Sequence, residues 1–384
     1  MGSNSCSSGC WQNSLSSHPK KTTNTSLRIN TVLNNALERF SQTERTAPRV
    51  SVIIPTYNRK PELANLLAAL EKQTLPAHEF EIIVVDDGST DDTLLYLKTL
   101  AVGGRENLCF CYQKNQGPGA ARNRGMALAR GSLFAFTDTD CSPLPDWLEK
   151  LIEPFSDTRV GAVGGAEACD ATARGLARAI HFCMTSPLAT GGIRGASGTP
   201  WARYYPRTFN MAISRAACEQ TGGFRPLYHG EDIELSFRIK AAGFLLVYHE
   251  KARVCHQRRS TVKQFFTQLM RMGEARVALA RLHPAMLELL HVVPAAGMLC
   301  VCLTLVLSVF FAFFMTVLHL LCAVGLLFLL LLGVAGSRDN AASIAEKIKL
   351  FFLVPFVFIL QQAAYGIGFY RGLWAWVWKR GASR

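Results

Sequence analysis

Several common devices are missing from this 384-residue chain. Its twelve cysteines, at 6, 10, 109, 111, 141, 169, 183, 218, 255, 300, 302 and 322, include no C-x-x-C pair, which argues against a zinc ribbon. Cys300, Cys302 and Cys322 lie in an apolar region, where cysteine acts as a small hydrophobe. The expectation is reduced thiols in a cytosolic setting. The first 48 residues are rich in Ser, Asn and Thr and lack the apolar core of a secretory signal. They read as a disordered tail with a short helix at Val32–Phe40, ahead of a globular part that stays in the cytosol. Lys and Arg outnumber Asp and Glu by 41 to 28, a net charge of +13, yet no compact basic block marks a nucleic-acid arm, and no nucleic-acid partner is expected.

The sharpest absence is of charge. Residues 292–335 hold no Lys, Arg, Asp or Glu. A bilayer crossing takes about 20 apolar residues, so this stretch supplies two, Val292–Phe314 and Met315–Ala335, joined by a tight turn. Leu350–Tyr370 is a candidate third span, although Gln361 and Gln362 are costly in lipid and would face a helix neighbour or an acceptor lipid. Two crossings would leave Arg338, Lys347 and Lys349 inside, as positive charge prefers; a third would put Lys379, Arg380 and Arg384 outside, which leaves a re-entrant or interfacial third segment open. Six basic residues fall between Arg258 and Arg281, just before the apolar region, where an anionic membrane surface would attract them. Val262–Ala280 has Phe265, Phe266, Leu269, Met270 and Val277 on one face, the pattern of an interfacial helix or of an ordinary surface helix packed on its domain.

The remaining sequence alternates. Short β-branched runs at Val50–Pro55, Phe80–Val85, Leu108–Tyr112 and Leu133–Phe136 read as buried strands. Between them lie helical patterns, one opened by Pro61 and carrying Leu63, Leu66, Leu67 and Leu70. Such alternation predicts an α/β fold with a mostly parallel sheet flanked by helices, and ligands bind beyond the carboxyl ends of such strands. Polar clusters fall at those ends: Thr56-Tyr57-Asn58, Asp86-Asp87 and Asp138-Thr139-Asp140. Further on, Phe209–Ile213 reads as a strand and Ile233–Ala242 as a helix, while Gly191–Gly198 and Trp201–Tyr205 look like acceptor-side loops.

Five constellations carry possible chemistry. Asp138 and Asp140, two residues apart at a strand end, suit a hard divalent cation, Mg²⁺ or Mn²⁺, that would stabilise charge on a departing diphosphate; a solvated acidic loop is the competing reading. Asp86-Asp87 could accept from a base N–H or a ribose hydroxyl, or simply make a turn. Asn115–Gly125 is a glycine-rich entry to a helix, suited to phosphate, and Arg122 and Arg124 add positive charge; it has neither the Walker A nor the G-x-G-x-x-G spacing. Asn123 in this loop is placed with the donor contacts. Asp232 in Gly230-Glu231-Asp232 can be a general base, the alternative being a helix cap. His256, with Arg258 and Arg259 following, is a possible metal ligand or a structural histidine.

Together these segments resemble the family 2 glycosyltransferases, which have the GT-A fold. The resemblance runs through VSVIIPTYNR from Val50, IIVVDDGSTDDT from Ile82, NQGPGAARNRG from Asn115, TDTD from Thr137, NMAI from Asn210, GGF from Gly222 and GEDIELSFR from Gly230. It implies a catalytic domain over 49–256, followed by an interfacial segment at 257–290 and a membrane region at 291–378. It implies Pro55, Tyr57, Asp87 and Asp138 at the nucleotide-sugar, of UDP-sugar type, and Asp138 and Asp140 as the metal motif, with Asp140 the direct ligand. Asp232 would be the base of an inverting transfer, and His256 a further metal contact. His256, Arg258-Arg259, the Phe265–Gly273 helix and the Tyr365–Phe369 run resemble membrane-associated exopolysaccharide glycosyltransferases of succinoglycan type. That implies an inner- or plasma-membrane enzyme with a cytoplasmic catalytic domain and a lipid-linked or glycan acceptor. The Q-x-x-R-W of processive synthases is missing, which argues against polymer synthesis through a channel. Other readings are a catalytically silent nucleotide-sugar-binding scaffold and a nucleotidyltransferase.

Overall fold

The computed structural model describes residues 47–102, 105–168, 174–186, 204–227, 229–256, 261–338 and 343–381. The expected tail and its Val32–Phe40 helix, the Gly191–Gly198 loop, Trp201 and Arg258-Arg259 lie outside these residues.

In chain order the elements are β1 (Val50–Thr56), α1 (Lys60–Leu70), β2 (Phe80–Asp86), α2 (Thr93–Val102), β3 (Leu108–Tyr112), α3 (Pro118–Leu128), β4 (Leu133–Phe136), β5 (Cys141–Pro143), α4 (Trp147–Ile152), β6 (Val160–Ala168), α5 (Leu176–Thr185), β7 (Met211–Ser214), α6 (Arg215–Thr221), α7 (Glu231–Ala241), β8 (Leu245–His256), α8 (Val262–Leu282), α9 (Leu289–Ser308), α10 (Ala312–Ser337) and α11 (Ile344–Gly381). The strands form one sheet in the order β3-β2-β1-β4-β7-β6-β8-β5. Neighbours β3, β2, β1 and β4 are parallel; β7 runs against both β4 and β6, β8 runs with β6, and β5 runs against β8. Only β7 and β5 are therefore reversed, and the sheet is mixed but mostly parallel.

The apolar strands form as β-branched runs do when both faces are covered: Val52, Ile53, Ile54, Ile83, Val84 and Val85 are fully buried. Alpha-helix α3 sits so close to β1 that a Cβ at Gly125 would strike the Ile53 side chain. The core continues through Phe134, Phe136, Met211, Ile213, Leu235 and Ile239, which joins α7 to the central strands. Trp147, fully buried, donates its indole N–H to Asn210 Oδ1 at 2.8 Å. Asn210 Nδ2 donates in turn to the carbonyls of Ala166 (3.0 Å) and Ala252 (2.9 Å). A buried amide with every group satisfied holds β6 and β8 in register next to β7.

The parallel direction of β1, β2, β4, β6 and β8 brings Thr56, Asp86, the residues after Phe136, Glu167 and His256 to one edge. Order 3-2-1-4 also makes the end of β1 a topological switch point, where a crevice opens.

Three described helices are long and apolar enough to cross a membrane: Leu289–Ser308, Ala312–Ser337 and Ile344–Trp378 within α11. Apolar helices thus stand where the expected spans lie, with shifted ends, and α11 begins at Ile344, ahead of Leu350. Helix α5 has no counterpart among the elements expected from the sequence. It buries Ala179, Ile180, Cys183 and Met184 against Leu350, Val354 and Val357 of α11 and Phe265 and Leu269 of α8.

Candidate active site at the carboxyl edge of the sheet

The end of β1 and the end of β2 are stitched together. Asn58, in the left-handed region at φ 52°, accepts at Oδ1 from the Thr90 N–H at 2.7 Å. The Asn58 N–H donates to Ser89 Oγ at 2.9 Å. Asn is one of the few side chains that tolerates this backbone conformation. Asp87 accepts from Gln113 Nε2 (2.7 Å), the Gln116 N–H (2.9 Å) and the Gly117 N–H (2.8 Å). It thereby shapes the glycine-rich entry to α3, whose Gly117 takes φ 89°. Tyr57 is about half exposed beside it, and Pro55 is part-buried at the end of β1.

At the paired ends of β1 and β2, Thr56 Oγ1 and Asp86 Oδ2 are buried without hydrogen-bond partners. Burial pushes the Asp86 carboxyl up, with Ser89 pulling against it.

At the next strand end, Asp138 and Asp140 part company. Asp138 Oδ1 accepts from Arg122 Nη2 at 2.8 Å. Asp140 Oδ1 lies 3.3 Å from His256 Nε2, and His256 Nδ1 lies 3.4 Å from Glu167 Oε1. These contacts follow from register: Cys141 pairs with His256 across β5 and β8, and Glu167 with Val254 across β6 and β8. Burial works against charge on His256, but Asp140 and Glu167 outweigh it and hold the imidazole up at about 9. The ring also stacks on Phe209 at 5.1 Å.

Asp140, Cys141 and His256 present ligand atoms within 4.8 Å of one another. Burial raises the Cys141 thiol well above its usual range, with Asp138 and Asp140 adding to the effect. A neutral buried thiol is a poor ligand for a hard cation, whereas a carboxylate oxygen suits Mn²⁺ or Mg²⁺ completed by phosphate oxygens, and the His256 nitrogen joins it once the ion has displaced its proton. The donor set fits a divalent ion, with Asp138 outside the group.

The acids at the start of α7 also differ. Glu231 Oε1 accepts from Arg122 Nη1 at 2.9 Å. Burial and then Asp232 push the Glu231 carboxyl up, with Arg122 opposing. Asp232 is held only at 3.9 Å by Arg207 and accepts at Oδ1 from the Ile233 N–H. Arg122, read from sequence as a phosphate contact, is instead turned inward, 3% exposed, as the bridge between Asp138 and Glu231. Burial opposes its charge, and Asp138 and Glu231 more than restore it. Asn123, expected at the donor, uses its amide on Phe224: Nδ2 donates to the Phe224 carbonyl and Oδ1 accepts its N–H, both at 2.8 Å. Sequence reading missed Glu167, Asn210 and the inward role of Arg122. The only signal for Glu167 was an acid at the end of a glycine- and alanine-rich strand.

Residues 51–222 match the family model for Glycosyl transferase family 2. The chain is 30% identical over 233 residues to glycosyltransferase AglE of Haloferax volcanii, covering 60% of this chain and 74% of that one. It is 29% identical over 248 residues to the pre-mycofactocin glycosyltransferase of Mycobacterium tuberculosis, covering 61% of this chain but only 48% of that one. A solved structure of the mannosyltransferase PcManGT from Pyrobaculum calidifontis, in complex with GDP-Man and Mn²⁺, matches at TM-score 0.62 and 18% identity, over 91% of this chain and 97% of that one; it shares the fold. Fold and relatives together define a glycosyltransferase of GT-A architecture. More particularly, the chain belongs to glycosyl transferase family 2.

Proposed function

We propose that this protein transfers a sugar, with inversion, from a nucleoside-diphosphate sugar of UDP-sugar type to a lipid-linked or polysaccharide acceptor at the cytosolic membrane face. The observation that carries this reading is the split of the four acids. Arg122 fastens Asp138 and Glu231, while Asp140 stands with His256 and Asp232 stands apart from a close cation. Asp140 and His256 would hold Mg²⁺ or Mn²⁺, which when bound supplies Lewis-acid stabilisation of the diphosphate. Pro55, Tyr57 and Asp87 would border the nucleotide, and Asp138 its ribose side. Asp232 takes the acceptor's proton as the acceptor oxygen bonds to the anomeric carbon and the bond from that carbon to the nucleoside diphosphate breaks. Helices α9 and α10 would anchor the enzyme where such an acceptor is concentrated.

The test is incubation of the full chain with a panel of nucleotide-sugars, Mn²⁺ or Mg²⁺, and a membrane lipid extract. Release of nucleoside diphosphate, with the sugar recovered in the opposite anomeric configuration, is the expected result. Release of pyrophosphate would make it a nucleotidyltransferase, and nucleotide binding without turnover of any donor would make it a scaffold.

A further inference from the structure

A second carboxylate faces His256 from the side away from Asp140. Glu167, near the end of β6, places Oε1 3.4 Å from His256 Nδ1, while Nε2 lies 3.3 Å from Asp140 Oδ1. The Glu167 side chain is only 3% exposed, and a carboxylate so deeply buried is costly without a donor to meet it. The ring face is fixed separately, by a near-parallel stack on Phe209 with 11° between the planes. Contacts at both ring nitrogens and at the face together define how the imidazole stands.

The backbone departs from regular pairing to bring these two side chains together. Gly165 pairs with His249 but Ala166 with Arg253, so β8 advances four residues while β6 advances one. Regular pairing would set Glu167 opposite Lys251, with His256 about 16 Å further along the strand. Instead Glu167 stands opposite Val254, and His256 follows two residues on, on the same face of the sheet. Extra residues in one strand re-aim side chains in this way beside functional sites. The irregularity is pinned by a buried side chain: Asn210 Nδ2 donates to the Ala166 carbonyl at 3.0 Å and to the Ala252 carbonyl at 2.9 Å, one on each strand. Trp147 in turn holds Asn210 Oδ1 at 2.8 Å. Gly165 permits the close approach, since a Cβ there would strike the Ala252 carbonyl.

The geometry points to Glu167 as a positioning residue of the ion site: its carboxylate accepts from the Nδ1–H of His256 and keeps Nε2 turned to the ion beside Asp140. Which imidazole nitrogen meets a metal is set by the hydrogen bond that the other one makes. Loss of such an outer partner costs about 10- to 100-fold in metal affinity. This role rests on the reading of Asp140 and His256 as the ion's ligands, and not on the identity of sugar or acceptor.

The full chain in detergent micelles is titrated with Mn²⁺, alone and with UDP, and bound Mn²⁺ is followed by electron paramagnetic resonance. The wild type shows coupling of bound Mn²⁺ to a histidine nitrogen, and His256→Ala lacks it. Glu167→Ala binds Mn²⁺ about 10- to 100-fold more weakly, with that coupling reduced. Its transfer rate recovers at high Mn²⁺, a rescue that a merely structural loss would not show. Glu167→Gln keeps the shape and an acceptor oxygen but not the charge, and loses about threefold or more; it carries the comparison should Glu167→Ala not fold. The proposal is overturned if either folded variant binds Mn²⁺ with wild-type affinity and coupling, which would leave the ion at Asp140 and His256. A wild type without nitrogen coupling would remove His256 from the ion and Glu167 with it. A donor panel that yields no transfer would remove the reaction and leave the Mn²⁺ comparison standing.

Discussion

Arg122 shows how much of this site hangs on one side chain. It is buried between an acid that follows β4 and an acid that opens α7, residues 93 positions apart in sequence, with 2.8 and 2.9 Å contacts. Removing one partner of a buried ionic group leaves the others uncompensated, at a cost of about 3 kcal/mol. Arg122→Met should therefore lower the thermal midpoint and the transfer rate together. The loss should grow with pH. A Glu231 carboxyl free in the unfolded chain ionises near 4.5; folded, it is already raised, and without Arg122 it rises further. Since the folded state resists the charged form, stability falls as pH climbs above 4.5. Melting curves of variant and wild type at acidic and alkaline pH check this; a difference independent of pH would remove Glu231 from the account. Asp140→Asn carries the opposite expectation: an intact fold with transfer reduced by about a hundredfold, roughly 3 kcal/mol of lost transition-state stabilisation. Full activity of that variant, or full activity under excess chelator, would sink the metal reading. Asp140 and Asp232 were singled out in the sequence because one follows an expected strand and the other precedes an expected helix, and His256 because of its place before Arg258-Arg259. Glu167 and Arg122 were not, because their partners arrive through long-range packing: Glu167 meets His256 only once β6 and β8 pair in parallel.

At the scale of elements, β1, β2, β3 and β4 were legible almost residue for residue, being short apolar runs bounded by polar ends, whereas β5, β6 and β8 were not read as strands. Helix α5 was not legible either. Its apolar face, Ala179, Ile180, Cys183 and Met184, is brief, and the surface that covers it lies more than 160 residues downstream on α11. The join between α8 and α11 is tighter still. A Cβ on Gly273 would collide with the Tyr365 carbonyl, and one on Gly368 with the Met270 carbonyl. Small residues let helix backbones approach this closely, and here the approach also carries Arg276 to Tyr365. Gly297 and Gly325, by contrast, face open space. Gly368→Leu should force the two helices apart and lower both thermal midpoint and transfer, while Gly297→Leu and Gly325→Leu in the neighbouring helices should be near neutral. Equal sensitivity at all three positions, measured on purified full-length protein, would mean that the α8–α11 contact has no special weight.

Over the whole molecule, three apolar helices do not behave as three equivalent spans. Helix α9, at 20 residues, and α10, at 26, are long enough for an apolar layer of about 30 Å. Their contacts with α11 include Pro294 and Ala295 against Gly366 and Phe369, Gly333 and Gly336 against Phe351 and Val354, and Phe328 against Phe358 at 5.4 Å. Their far ends, around Phe310 and Phe313, stand exposed on all sides. Helix α11 is held to the catalytic domain along its length. Glu346 accepts from the Gly175 N–H at 2.6 Å, Cys183 Sγ donates to the Val354 carbonyl at 3.5 Å, and Arg371 pairs with Glu274 at 3.1 Å. Near its end, Trp376 lies under Arg281 at 5.9 Å. Its opposite face presents Phe352, Phe356, Ile359, Ile367, Trp374 and Trp378. A helix that rests on a charged helix from end to end and turns one apolar stripe outward suits the membrane interface, with tryptophans at the headgroup level. The arrangement expected is a crossing hairpin of α9 and α10, with α11 lying across its base. Lys379 and Arg380 then stay on the side of Arg338, as positive charge prefers. In a variant whose native cysteines are replaced, a cysteine placed at Phe310 should react with a membrane-impermeant maleimide from one face only. Cysteines at Trp378 and at Thr90, just after β2, should react from the other face. Labelling of Trp378→Cys from the same face as Phe310→Cys would make α11 a third crossing and detach it from the catalytic surface.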